Sequence, residues 1–97
     1  MFESVRLDSE LSLVITGRFD GALAPAVHEA IQEAVADGVD TFVVDVTEAN
    51  EVDEGAIAVL AAAAVQARVA GGHLFIALGP ERMVQIHDAS LVRSVFG

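Results

Sequence analysis

The stretch TFVVDVTEANEVDEGAIAVLAAAAVQA, residues 41–67, decides the fold of this chain. Its first part, Thr41–Val46, is rich in β-branched and aromatic residues and predicts a buried strand. Its last part, Gly55–Ala67, contains only Gly, Ala, Ile, Val, Leu and one Gln, which favours a helix. Between them, Asp45–Glu54 carries five acids and no base. The acids therefore gather where a strand hands over to a helix, and open α/β folds tend to build their sites at that edge.

Length and composition predict one domain, residues 1–97, that folds around a single core. The chain has no Cys, which excludes disulfides, thiol catalysis and thiolate metal sites. The start, Met1–Arg6, has neither a basic lead nor an apolar segment of the kind found in secretion signals. We therefore expect a cytoplasmic protein.

Charge and hydropathy exclude two further classes. The longest uncharged run, Gly55–Ala67, is shorter than the ~20 residues that cross a bilayer, so no membrane insertion is expected. The formal net charge is −10, and five Arg residues are scattered singly without any Lys. No basic patch is available to neutralise phosphates, so nucleic acid is a poor partner. The acid excess favours either a basic protein surface or simple solubility.

The first half of the chain predicts a hairpin followed by a helix. Glu3–Leu7 and Leu11–Thr16 have the pattern of strands, and the polar residues between them favour a turn. A helix from Ala22 to about Ala36 is indicated by apolar residues that repeat every four positions. Pro25 lies in its first turn, where proline is tolerated.

The second half predicts alternating helices and strands. A second helix opens at Asp53 and ends at Ala70, before Gly71-Gly72. His73–Leu78 is nearly all apolar, which is typical of a strand covered on both faces. Pro80 to about His87 is predicted as a short helix, and Leu91–Phe96 as a last, edge strand. The expected architecture is α/β, with a mixed sheet of four to five strands and helices mainly on one face.

The block Ala61–Ala64 in the second helix leaves two alternatives open. Small side chains allow a helix to pack closely on a sheet or on another helix. An exposed alanine face that meets another chain is the second interpretation.

Catalytic and cofactor chemistry finds little support. No Ser lies in an elbow motif, the three His residues are not at ligand spacing, and Gly79-Pro80-Glu81 lacks the glycines and Lys of a phosphate loop. We expect a protein that is not an enzyme and needs no cofactor. Asp20, Asp45 and Asp53 are predicted at strand ends on one edge, as solvated acids or, alternatively, as a shallow oxygen-ligand pocket for Mg²⁺ or Ca²⁺. No metal site is assigned.

Four segments along the chain fit one family pattern. They are Gly17-Arg18-Phe19-Asp20 with Leu23-Ala24, like a G-x-x-D turn; Asp45-Val46-Thr47 with Val52–Leu60, in gapless register with D-L-S and I-D-S-S-G-L-G-V-L; Ala70–Ala77, like a G-G-x-L-x-L strand; and Ser90–Phe96, similar to a G-L-x-x-V-F ending. Together they resemble the STAS domain, the small α/β module of anti-sigma factor antagonists. Nearly the whole chain takes part.

This resemblance implies the fold and a binding role, but not the family's regulation. Members of the family carry a switch Ser or Thr just after the Asp that corresponds to Asp53, and a partner kinase phosphorylates it. Glu54 and Gly55 occupy both candidate positions, so no phosphorylation is expected there. Glu51 also stands where the family usually has an apolar or aromatic residue. The resemblance also predicts that the chain ends before the final helix that many relatives carry.

The function expected from the resemblance is recognition of a protein partner. The predicted contact centre comprises Asp53, Glu54, Gly55, Ala56 and Ile57, with Asp20 and Thr47 flanking it. The implied partner is an anti-sigma factor of the histidine-kinase-like ATPase type or a sister STAS protein. The alternative is an accessory or scaffold subunit of a transporter or signalling assembly, with a homodimer left open.

Overall fold

The computed structural model describes residues 1–96, which form eight elements. In chain order they are β1 (Phe2–Leu7), β2 (Glu10–Phe19), α1 (Ala24–Ala36), β3 (Thr41–Val52), α2 (Glu54–Val69), β4 (His73–Gly79), β5 (Arg82–Ile86) and α3 (Ala89–Phe96). None of these helices is both long and apolar enough to cross a membrane.

The five strands form one mixed sheet in the order β1-β2-β3-β4-β5. The outer pairs, β1 with β2 and β4 with β5, are antiparallel. The central pairs, β2 with β3 and β3 with β4, are parallel, and α1 and α2 form the crossovers between them. The predicted α/β architecture is therefore confirmed.

The predicted first hairpin is present and closes through a two-residue turn. Leu7 pairs with Glu10, and Asp8 between them has φ 55°, a left-handed conformation that Asp tolerates better than most residues. The carbonyl oxygen of Ser9 accepts hydrogen bonds from the backbone N–H groups of Asp40 and Thr41 at 3.0 and 3.2 Å. These two bonds fix the start of β3 relative to the hairpin turn.

The helix boundaries follow local chemistry. Pro25 lies in the first turn of α1, and Gly38 just past its end has φ 87°, a conformation that needs glycine. Asp53 caps α2, as the sequence predicts. Within the block Ala61–Ala64, Ala63 and Ala64 are buried, whereas Ala61 and Ala62 are half-buried. Ala63 and Ala64 bring α2 close to its neighbours, as in the first alternative, and the partly open Ala61 and Ala62 leave the second alternative untested.

One face of the sheet holds the core. Side chains that alternate along the strands point towards the helices, and with the buried residues of α1, α2 and α3 they form one cluster. Its largest fully buried members are Phe19, Phe42, Leu13, Ile15, Ile31, Leu60, Leu74, Ile76, Val27, Val44 and Val92.

The opposite face of the sheet is open, which corrects the prediction that His73–Leu78 is covered on both sides. His73 is exposed and Phe75 only half-buried, whereas Leu74 and Ile76 are buried. The near-continuous apolar run misled the prediction because Phe75 faces the open side and is only half-buried there, while the small Ala77 is buried. Exposed apolar residues lie at both edges of the sheet, with Val5 and Leu7 on β1 and Met83 on β5.

Two further predictions for the C-terminal part are wrong. Pro80 and Glu81 form the turn of a hairpin, and residues 82–86 are a strand paired with β4, where a short helix was expected. Residues 91–96 belong to a helix instead of an edge strand. This helix packs the fully buried Val92 into the core. Apolar residues at positions 91, 92, 95 and 96 fit helical spacing, a signal that the short length of the segment obscured.

Candidate functional site

Asp53 joins the start of α2 to the loop before α1. Its Oδ1 accepts a hydrogen bond from the backbone N–H of Ala56 at 3.0 Å, which caps the helix. Its Oδ2 accepts the backbone N–H of Gly21 at 3.2 Å. One carboxylate therefore fixes two segments that are far apart in the chain.

Asp20 organises the neighbouring loop in the same manner. Its Oδ1 accepts the backbone N–H groups of Ala22 and Leu23, both at 3.1 Å. Its carbonyl oxygen accepts the N–H of Ala24 at 2.8 Å, and so begins α1. The predicted closeness of Asp20 and Asp53 is thus realised on either side of Gly21, with both side chains half-buried.

Gly55 and Gly21 let these two segments meet closely. A Cβ atom built on Gly55 would lie 3.0 Å from the Cα of Gly21 and 3.3 Å from its backbone nitrogen. That is tighter than ordinary van der Waals contact. Close packing against Gly21 therefore excludes a side chain at residue 55. The same glycine also leaves this position without a hydroxyl.

Glu54 points outwards from the first turn of α2. Its side chain is 75% exposed, and Nη1 of Arg93 on α3 donates to both carboxylate oxygens, at 2.9 Å to Oε1 and 3.2 Å to Oε2. A negative charge is also favourable at a helix N-terminus. The sequence prediction missed Arg93, because a strand over residues 91–96 gave no reason to place it beside α2.

The predicted contact centre divides between surface and core. Ala56 is fully buried and Ile57 is 8% exposed, so these two residues belong to the core and do not face a partner. They occupy the inward side of the first turn of α2, which sequence register alone did not reveal. Thr47 is exposed, in the part of β3 that continues beyond the predicted strand end.

The alternative metal pocket does not form, because Asp45 lies apart from Asp20 and Asp53. The third strand continues to Val52, so Asp45 lies inside the sheet, where it pairs with Val14 and Ala77. Its Oδ1 accepts the backbone N–H of Thr47 at 2.9 Å. Across residues 1–96, no three acidic or histidine side chains gather in a group that would hold a metal ion.

A groove runs between α1 and α2 beside Glu54, with a volume of about 820 Å³. Its base is made of small or apolar residues, and its α1 side also presents polar side chains. The lining residues are Gly21, Ala24, Pro25, His28, Glu29, Gln32, Gly55, Ala58, Val59 and Ala62. The groove, Glu54 and Asp20 lie together at the start of α2 and the loop before α1, and we call them the α1–α2 surface; Thr47, within β3, is not among the residues that line the groove.

Comparisons with known proteins agree with this fold. Among solved structures, the anti-sigma factor antagonist SpoIIAA in its unphosphorylated form is similar, with a TM-score of 0.73 and 13% sequence identity over 78% of this chain and 71% of that one. The structure called Mglu is also similar, with a TM-score of 0.64 and 23% identity over 84% of this chain but only 20% of that chain. No curated protein sequence gives a match.

A protein-family model supplies the assignment. The model described as "Mlab, STAS domain" matches residues 3–92 of the 97 residues. The match covers every strand, the two long helices and the Asp53 cap described above. The chain therefore belongs to the Mlab STAS domain family.

Proposed function

We propose that this chain is a non-catalytic, cytoplasmic protein-binding module that recognises its partner through the α1–α2 surface. The partner is an anti-sigma factor of the histidine-kinase-like ATPase type, and the role is regulation of transcription. The similarity of the fold to an anti-sigma factor antagonist supports this proposal. The observation that carries it is the groove between α1 and α2, which opens beside a carboxylate fixed at the start of α2.

The charge at this surface is permanent. Glu54 carries about one negative charge, whereas a phosphoserine carries about −1.5 to −2 and has more acceptor oxygens. Arg93 offsets part of the charge of Glu54 by pairing with it. The pair is exposed on both sides, so a partner cation can compete for Glu54 at little cost. In this proposal, the surface is static and no phosphate turns it on or off.

The groove suits a segment of protein. Ala58 and Ala62 lie four residues apart on α2, and their small side chains let a partner's side chains approach the helix backbone closely. Val59 adds apolar area, while Glu29 and Gln32 on α1 form a polar rim. An apolar floor with a polar rim is the usual anatomy of a protein interface.

A pair of matched variants on α2 tests the proposal. Ala58 and Val65 are both exposed on the same helix, but only Ala58 lines the groove. Purified wild-type protein should retain a histidine-kinase-like ATPase from a lysate, as identified by mass spectrometry. Ala58→Arg should abolish that capture, and Val65→Arg should preserve it. Capture of no such ATPase, or equal capture by both variants, contradicts the proposal.

A second function is favoured by the open face of the sheet. Val5, Leu7 and Met83 are 59%, 70% and 57% exposed, and no element of residues 1–96 covers them. An accessory or scaffold subunit of a transporter or signalling assembly would bury such a face. Light scattering coupled to size exclusion separates the two functions. A monomer at every concentration, with partner capture unaffected by Val5→Glu, argues against the scaffold.

A further inference from the structure

A second cavity, of about 530 Å³, lies at the other end of α2 from Glu54. It is enclosed by the last turns of α2, the start of β4, the end of β5 and the segment that leads into α3. Its apolar floor consists of buried side chains: Ala64, Ala67, Leu74 and Ile86. Because two of these are alanines, the floor leaves room where larger side chains would fill it. The volume is within the range of about 300–1,000 Å³ that is usual for small-molecule sites.

The rim of this cavity is rich in basic side chains, whereas the protein as a whole is acidic. The chain has five Arg and three His residues and a net charge of −10. Three of those eight side chains, Arg68, His73 and His87, line this one cavity. Asp88 is the single carboxylate among the lining residues. A locally basic rim on an acidic protein points to a ligand that carries negative charge.

Arg68 makes no salt bridge within residues 1–96, although it lies close enough to Asp88 for its charge to help lower the pKa of that carboxyl. Arg6, Arg18 and Arg93 each have a carboxylate oxygen within 4.0 Å, and Arg68 does not. A cation in the last turn of a helix can serve the helix dipole. Here, however, the backbone N–H groups of Ala70, Gly72 and Gly71 already bond the carbonyls of residues 66, 67 and 68. The guanidinium of Arg68 therefore keeps its donors for another acceptor.

His73 offers a second donor at the rim. Its Nδ1 lies 3.1 Å from the side-chain amide nitrogen of Gln85. This contact occupies Nδ1 and holds the ring in place between β4 and β5. Nε2 makes no side-chain hydrogen bond within residues 1–96 and is left to bond a ligand.

Asp88 is engaged with α3. Its Oδ1 accepts from the hydroxyl of Ser90 at 2.6 Å and from the backbone N–H of Leu91 at 3.1 Å. The carboxylate therefore caps α3, and these hydrogen bonds keep it at the edge of the cavity. The ionisable groups facing the cavity are then Arg68 from α2, His73 from β4, and His87 and Asp88 from the segment between β5 and α3.

We propose that this cavity binds a small organic anion, with an apolar body on the alanine-lined floor and a carboxylate or phosphate head held by Arg68, His73 and His87. Arg68 supplies a positive charge for the head, and the two imidazoles supply hydrogen bonds to it. Arg68 follows Glu54 by fourteen residues, so the sites are about 21 Å apart along α2 and are separate.

Benzoate and phenyl phosphate are the probes, with benzyl alcohol as the neutral control and inorganic phosphate as the head without a body. Each is titrated into the full chain at one constant pH while backbone amide shifts are recorded by NMR. Both organic anions should shift residues around 64–74 and 85–88. Benzyl alcohol should bind much more weakly.

Arg68→Gln and Arg82→Gln form the matched pair, because Arg82 also lacks a carboxylate partner in residues 1–96 but lies outside the cavity. Arg68→Gln should weaken benzoate binding about tenfold, as expected for loss of a charge-assisted hydrogen bond. Arg82→Gln should leave it unchanged. Asp88→Asn keeps a capping side chain, removes the opposing charge and should tighten binding. Shifts that are absent up to about 10 mM probe, spread over the whole surface, or equal in both Arg variants overturn the proposal.

Discussion

The carboxylate of Asp53 reaches across thirty-two positions of sequence to the backbone N–H of Gly21, at 3.2 Å. Its other oxygen caps α2 through Ala56 at 3.0 Å. The start of the second helix and the approach to the first are thus held by a single side chain. Everything on the α1–α2 surface depends on this link, because it fixes the spacing of the two helices that border the groove.

Asp53→Ala should lower the free energy of unfolding by about 1–2 kcal/mol, since it removes a helix cap and also leaves the N–H of Gly21 without its acceptor. Asp53→Asn should cost about half as much, because Asn also caps helices but offers only one oxygen. Urea unfolding followed by circular dichroism measures both. Equal stability of Asp53→Ala and the wild type would show that the link to Gly21 contributes nothing.

Gly55→Ser should destabilise the protein, and Glu54→Ser should not. At Gly55, a Cβ atom would be 3.0 Å from Gly21 Cα, so the loop before α1 must move, at a cost of about 1 kcal/mol. At Glu54, the side chain is exposed and its ion pair is solvated, so the change should stay within about 0.5 kcal/mol. The comparison is made by urea unfolding of the two variants. The reverse order of stabilities contradicts the tight contact.

Gly72→Ala tests the junction between α2 and β4. A Cβ atom there would lie 1.9 Å from the carbonyl oxygen of Asp40, which also accepts the N–H of His73 at 2.7 Å. The backbone of Asp40 cannot move away without breaking that hydrogen bond. We therefore expect Gly72→Ala to lower the free energy of unfolding by about 3 kcal/mol or more, or to prevent folding. Gly79→Ala is the control, since nothing lies within 4 Å of its added Cβ. Its free energy of unfolding should lie within about 0.5 kcal/mol of the wild-type value.

The sequence predicted best where local chemistry determines structure. The first hairpin, the crossover helices and the Asp53 cap follow from polar turns, apolar repeats and a capping residue within one turn of the helix they begin. The adjacency of Asp20 and Asp53 also followed, because both are at the ends of neighbouring parallel strands. The hairpin, the helices and the cap depend on few distant contacts, whereas the adjacency of Asp20 and Asp53 depends on the pairing of β2 with β3.

Errors arose where tertiary contacts decide. Residues 82–86 form a strand only because β4 offers an edge to pair with, and residues 91–96 form a helix because Val92 finds the core. The burial of Ala56 and Ile57 depends on how α2 rotates against the sheet, which the uniformly apolar run of α2 does not specify. Arg93 could be placed beside Glu54 only after α3 was known.

The pH dependence of the α3 cap follows from Asp88. The hydroxyl of Ser90 and then the backbone N–H of Leu91 hold the pKa of this carboxyl below 3.8. A group whose pKa is lower in the folded state stabilises it at pH values above the unfolded pKa, and that contribution disappears as the pH falls through the folded value. The first turn of α3 should therefore loosen only below pH 3.8.

Ser90→Ala should raise the pKa of Asp88 towards 3.8, since it removes the largest cause of the shift. Carbon-detected NMR of the side-chain carboxyl gives the value directly. Arg93→Gln is the control, because Arg93 lies on the same helix but does not contact Asp88. An unchanged pKa in Ser90→Ala would mean that the hydroxyl donates elsewhere in solution.

The proposal that the start of α2 carries no phosphorylation switch gives the last prediction. With a histidine-kinase-like partner and ATP, the wild type should gain no phosphate at residues 53–57, because none of them carries a hydroxyl. Intact mass followed by peptide mapping measures this. Glu54→Ser should gain one phosphate, about 80 Da in mass, on the new hydroxyl. Position 54 is exposed at the N-terminus of α2, where the helix dipole favours a negative charge. Phosphate on the wild type at Thr47 would show that the phosphorylated position has moved to β3. If Glu54→Ser gains no phosphate and binds the partner as the wild type does, Glu54 is not equivalent to the family's switch position.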